Sequence, residues 1–194
     1  FSAVFEMDES GKVYNEWFGK TVIHSNRRFS YEQAQEIIEG SEGDYKEEIL
    51  IFDKIAKILR KKRLKAGAMN IESEEVRFRL DAEGFPEEVI VKTSKDAHKL
   101  IEEFMLLANR SVAKHIAKPH DKSAPKIPFI YRCHDKPSPE KIALFDLFVQ
   151  KFGYEIDLSD ERTISKRINA LLQDIRLKNE YSIIQSMAIR SMAK

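Results

Sequence analysis

The sequence predicts an α+β fold, with strand hairpins in its first half and helices predominating in its second. Three observations carry that prediction. Two pairs of strand-like segments each flank a short turn closed by glycine, Asp8-Glu-Ser-Gly11 and Asp81-Ala-Glu-Gly84. Beyond residue 95 the apolar residues recur at helical rather than alternating spacing. Strands and helices are segregated along the chain, instead of alternating as they do in parallel sheets. The 194 residues suffice for one domain with a sizeable core.

Taken in order, residues 1–7 and 12–24 read as the first hairpin. Ser30 is placed to cap a short helix running to residue 39, with Glu32 and Gln33 in its first turn. Gly40-Ser-Glu-Gly43 breaks it. A long helix follows from Asp44 to about Leu64, with Ile49, Phe52, Ile55, Ala56 and Leu59 at helical spacing. Residues 70–80 and 87–92 form the second hairpin, and residues 95–111 the next helix. Residues 119–128 hold three prolines and several lysines and are expected to be an exposed loop. Residues 129–132 read as a short strand. Ser138-Pro139 opens a helix to residue 152 with proline at its first position, and Gly153 ends it. Leu158-Ser-Asp160 then caps one or two further helices.

Composition narrows the class. With 42% hydrophobic and 34% charged residues the chain is expected to be globular and soluble. No apolar run approaches the roughly 20 residues that span a bilayer, so no membrane partner is expected. A single cysteine, Cys133, forms no internal disulfide and suits a reducing, cytoplasmic location. The net charge of +1 does not single out a nucleic-acid partner, so any such contact depends on local placement of charge. Phe1-Ser-Ala-Val begins as a strand already in progress, and the chain stops inside an apolar helix near residue 193. Both ends therefore read as cuts through a larger domain.

The helix over residues 95–111 concentrates the chemistry. At about 100° per residue, Ala97, Ile101, Phe104, Ala108 and Val112 form an apolar stripe, and Lys99, Glu103, Arg110 and Lys114 a charged one. Glu102 and Asn109 fall between the two, about 10 Å apart along the axis. A carboxylate and an amide set among Met105, Leu106 and Ala113 need hydrogen-bond partners, supplied by the protein or by a ligand. The basic run Lys57, Arg60, Lys61, Lys62, Arg63, Lys65 suits either phosphate contacts or a solvated helix face. The five histidines show no metal-ligand spacing.

His98-Lys-Leu-Ile-Glu-Glu-Phe-Met-Leu-Leu-Ala-Asn109 followed by Tyr131-Arg-Cys-His-Asp-Lys-Pro-Ser-Pro-Glu-Lys141 resembles the catalytic (RNB) domain of the RNase II/RNase R exoribonucleases, most closely RNase R. Arg28-Phe-Ser-Tyr31, the Ala66-Gly-Ala68 and Glu72–Val76 segments, and Ser186-Met-Ala-Ile-Arg-Ser-Met192 extend the likeness in order along the chain. The resemblance implies a parent enzyme that removes nucleotides from the 3′ end of single-stranded RNA, releases 5′-monophosphates, needs Mg²⁺ and does not act on DNA. The family's metal-holding aspartates and its Ser-Pro-Ile-Arg-Arg-type segment match nothing in these 194 residues. The chain is therefore expected to be the central part of a catalytic domain, residues 1–194 as one partial domain, with no catalytic or metal-binding residue of its own and no nuclease activity alone.

By the same resemblance Glu102 matches a glutamate that meets the RNA sugar, where a carboxylate accepts a hydrogen bond from the 2′-OH that DNA lacks. Asn109 is expected to hold the backbone or orient Glu102. Tyr31 matches a tyrosine that positions substrate in the narrow end of the channel. Ile71 stands where the family places a base-stacking phenylalanine, and isoleucine offers apolar contact without stacking. His134, beside Asp135, is expected to belong to a structural turn that lines the channel. The rival reading is a non-catalytic RNA-binding or scaffolding protein with an RNB-like fold.

Overall fold

The structure, a computed structural model, describes residues 1–71, 75–117, 128–133, 136–157, 159–160 and 162–192. The chain divides into two compact units, Phe1–Lys61 with Glu72–Phe129, and Lys62–Ile71 with Ile130–Lys194. Hairpins of antiparallel strands and helices make it a mixed α+β chain.

In the first unit, β1 (Ser2–Met7) pairs with β2 (Val13–Gly19), placing Val4 opposite Trp17 and Phe5 opposite Glu16. The turn is built by Asp8. Its carboxylate accepts from the Ser10 hydroxyl at 2.6 Å, the Ser10 and Lys12 amides at 2.9 and 3.1 Å, and the Tyr14 hydroxyl at 2.8 Å. These donors, the Ser10 hydroxyl foremost, hold the carboxyl far below the usual range. The second strand ends at Gly19 rather than at the expected residue 24. Ser2 pairs with Gly19, and residues 20–24 take part in no ladder among the described residues.

The capping reading of Ser30 holds. α1 (Tyr31–Ile38) starts with a capping box in which the Gln33 amide donates to Ser30 Oγ at 3.2 Å and the Ser30 amide to Gln33 Oε1 at 3.0 Å. α2 (Lys46–Lys65) begins two residues later than expected, after Tyr45 at φ +57°. β3 (Glu75–Leu80) and β4 (Pro86–Lys92) form the second hairpin, followed by α3 (Asp96–Ala117), which runs six residues past its expected end.

In the second unit, α4 (Pro139–Gln150), α5 (Ile164–Asp174) and α6 (Tyr181–Ser191) enclose a core of Phe145, Val149, Ile168, Ile175, Ile184 and Ala188. Asn169 ties the segment after α2 to this bundle. Its side chain accepts from the Asn70 amide and donates to the Ala68 carbonyl, each at 2.8 Å. Tyr154 Oη donates to the Glu180 carboxylate at the start of α6, and Lys178 Nζ donates to that Oη at 2.9 Å. α4 ends at Gln150, short of residue 152. Residues 129–132, expected to be a strand, form none: no ladder partner lies beside them among the described residues. Residues 119–127 of the expected loop lie outside the described residues.

Candidate functional site

α1 packs on α3, and the sequence of α1 shows why. Ile37 and Gln35 are both buried, 4% and 8% exposed. Gln35 Oε1 accepts from the Ala97 amide at 2.9 Å while its Nε2 donates to Glu39 at 2.9 Å. The Ala97 N–H belongs to the first turn of α3, where no intrahelical acceptor exists. A side chain of one helix thus caps the next, which fixes both the start of α3 and its distance from α1. Lys57 on α2 adds a second tether, reaching Asp53 at 2.7 Å and Asp96 at 3.2 Å. The Asp53 hydrogen bond, with Asp96 beside it, pushes the Lys57 pKa up. The basic run is therefore not merely solvated.

With the start of α3 fixed, His98 lies under Tyr31. The two rings stack with centroids 4.1 Å apart and planes 11° from parallel. The resemblance gives Tyr31 a part in positioning substrate; its ring stacks here on this histidine. Glu102 lies one helical turn beyond His98, on the same face of α3. Tyr31, His98 and Glu102 form a short line across the α1–α3 pair.

The burial of α3 corrects the expectation for its two glutamates. The side chain of Glu103, assigned to the charged stripe, is 3% exposed, whereas that of Glu102, expected among apolar neighbours, is 48% exposed. Arg60 of α2 explains the difference. Its Nη1 lies 3.9 Å from Glu103 Oε1 and 4.0 Å from Glu102 Oε2, so one guanidinium faces both carboxylates. An arginine lets the inner glutamate go below the surface, which the polar pattern of the helix by itself disfavours. Phe52 and Phe104, 5.6 Å apart and edge to face, complete the α2–α3 packing.

Asn109 is on the same helix, exposed, and makes no hydrogen bond to Glu102. Ile71 belongs to the second unit, at the end of the segment that Asn169 anchors, and is partly exposed. His134 and Asp135 lie outside the described residues. The structure thus brings Tyr31 and Glu102 onto one pair of helices and leaves Asn109 two turns away. His98, Arg60 and Gln35 were not singled out from the sequence. His98 opens the motif and Arg60 sits in the basic run, but neither spacing reveals a partner 42 to 67 positions away. Among the described residues no three His, Cys, Asp or Glu side chains converge to hold a metal ion, and no helix is long and apolar enough to cross a membrane.

The model of the RNB domain matches residues 1–194, the whole chain. The chain belongs to the RNB family. Among RNB relatives, the DIS3-like exonuclease 2 of Schizosaccharomyces pombe is 35% identical over 213 residues, covering 99% of this chain and 22% of the relative. Ribonuclease R of Escherichia coli is 31% identical over 193 residues, covering 96% and 23%. An Arabidopsis thaliana relative, 27% identical over 209 residues and covering 99% and 19%, bears the name inactive exonuclease, so RNB membership does not by itself carry catalysis. Among solved structures, the RNase R of Mycoplasma genitalium in complex with ribose-methylated single-stranded RNA superposes with a TM-score of 0.82 at 22% identity, over 99% of this chain and 30% of that one. The RNB chain described here spans about a fifth of the length of these curated relatives.

Proposed function

We propose that this RNB chain is part of a cytoplasmic 3′→5′ exoribonuclease that shortens single-stranded RNA processively to 5′-mononucleotides, and that it forms wall of the RNA path rather than the reacting centre. The single observation that carries the reading is the half-exposed Glu102 carboxylate. It sits one turn from the Tyr31–His98 stack and beside Arg60, in a chain whose whole length matches the RNB family. An ionised carboxylate at an accessible position accepts from a ribose 2′-OH and finds no such donor on deoxyribose. Tyr31 supplies a flat ring that contacts a base without regard to its identity. Arg60 limits the freedom of Glu102. Ile71 and Asn109 are further candidate contacts to the RNA, the first apolar and the second polar.

The reaction class supports Mg²⁺ as the ion that activates water in the parent. The described residues do not fit such a site. Two results are expected. These 194 residues alone, with Mg²⁺, leave a 5′-labelled single-stranded RNA at full length in a gel assay; ladder formation overturns the division of labour. Second, the chain binds a single-stranded RNA more tightly than the DNA of the same sequence by fluorescence anisotropy. Glu102→Ala brings the two affinities within about twofold while leaving the urea midpoint unchanged, because the side chain is half in water. An undiminished preference for RNA removes Glu102 from the proposed role.

A further inference from the structure

Beside Tyr31, at the start of α1, lies a concavity of about 830 Å³, lined among others by Arg28, Phe29, Tyr31, Tyr45 and Phe52. That is within the range of small-ligand sites. Four of its lining side chains are aromatic, beside the aliphatic Ile49, Leu100 and Ile101. Phe29 and Tyr45 meet edge to face at 6.4 Å, and the Arg27 guanidinium lies 5.2 Å over the Phe29 ring, held by Asp44 at 3.3 Å. Arg28, exposed on the lining, makes no ion pair among the described residues.

Tyr45 adds an independent observation. It is the non-glycine residue at positive φ, +57°, among those described. A bulky side chain is strained there, and glycine is the residue that takes such a conformation freely. The chain keeps a tyrosine where the backbone favours glycine, and the ring it keeps forms cavity wall. Strain of this kind gathers at ligand sites, where surrounding structure holds it in place.

We propose that this cavity receives one unstacked nucleobase of single-stranded RNA, against Phe29 and Tyr45, with a neighbouring phosphate at Arg28. The inference deepens the RNA reading above and rests on it. Aromatic walls take any base by stacking, and a guanidinium without a carboxylate partner is a fit for a phosphate oxygen pair. An apolar side chain of another polypeptide would need the volume but neither the guanidinium nor the strained ring.

The test uses the full chain and a single-stranded RNA carrying 5-iodouridine at successive positions, crosslinked by light and mapped by peptide mass spectrometry. Crosslinks are expected at Phe29, Tyr31 or Tyr45. Tyr45→Gly, which removes the ring and suits the backbone, is expected to weaken RNA binding about tenfold, as the loss of one stacked base does, with the circular dichroism spectrum retained. Arg28→Gln, on an exposed side chain, is expected to lower the slope of log affinity against log salt by about one. RNA bound with every crosslink outside these residues, or an affinity unchanged in both variants, overturns the nucleobase site and leaves the RNA reading standing. A cavity filled by a polypeptide side chain is then the remaining occupant. No RNA bound by the wild-type chain at any salt concentration overturns the RNA reading for this chain, and this site with it.

Discussion

Phe145→Ala is expected to destabilise the second unit by about 3–5 kcal/mol, the range for removing a phenylalanine from a close-packed core. Phe145 is 1% exposed and packs among Val149, Ile168, Leu172 and Ile184, which α4, α5 and α6 contribute in turn. The close-packed neighbours relax only in part into the vacated space, so the cost includes a cavity as well as lost transfer energy. A domain is stable by only about 5–15 kcal/mol in total, and a bundle of three short helices sits at the low end. The loss is therefore a large share. Urea unfolding followed by circular dichroism measures it, and hydrogen exchange assigns it to α4–α6. Leu144→Ala, one position earlier on the exposed face of the same helix, serves as the control and is expected to change stability by no more than about 0.5 kcal/mol. Equal effects at the two positions would mean that the bundle does not pack as described.

Arg60→Met is expected to have two separable effects. The first is a loss of about 2–3 kcal/mol, somewhat below the usual cost of breaking a buried pair, because the Glu103 carboxylate is buried but the Arg60 side chain is only partly so. Methionine keeps most of the stem packing, so the loss reports the guanidinium. In a double-mutant cycle with Glu103→Gln the two changes are expected to couple by about 1–2 kcal/mol. The second effect is on recognition. Released from Arg60, Glu102 samples more rotamers, and the RNA-over-DNA preference falls toward that of Glu102→Ala. Glu103→Gln lowers stability without touching the preference. If both variants change stability and neither changes the preference, Arg60 serves packing alone.

The element order was legible because it is written in local chemistry. Asp8-Glu-Ser-Gly11 and Asp81-Ala-Glu-Gly84 can hardly be anything but turns, and Ser30 with Gln33 three residues on is a capping box whatever surrounds it. The errors fall where pairing or a neighbour decides. Residues 20–24 have strand character but join no ladder among the described residues. Residues 129–132 have the composition of a strand and find no ladder among the described residues. Tyr45, at a φ its residue type disfavours, delays α2. The helical wheel of α3 exchanged the surroundings of Glu102 and Glu103. Adjacent positions differ by about 100°, and the wheel contains no term for an arginine arriving from another helix.

What the sequence by itself determined is the RNB family, the α+β class, the hairpin turns and the helix starts at Ser30 and Ser138, and it offered Glu102 and Tyr31 as candidates. Each of these depends on residue type and on separations of a few positions. Only the tertiary structure decided that Gln35 would cap α3 across 62 positions, that His98 would lie beneath Tyr31, and that Arg60 would face both glutamates. It also decided which of those glutamates meets water. The physical reason is that burial and charge pairing are properties of two surfaces in contact. A side chain's cost in the interior is settled by the partner that arrives there, and that partner is chosen by the packing of helices rather than by neighbours along the chain.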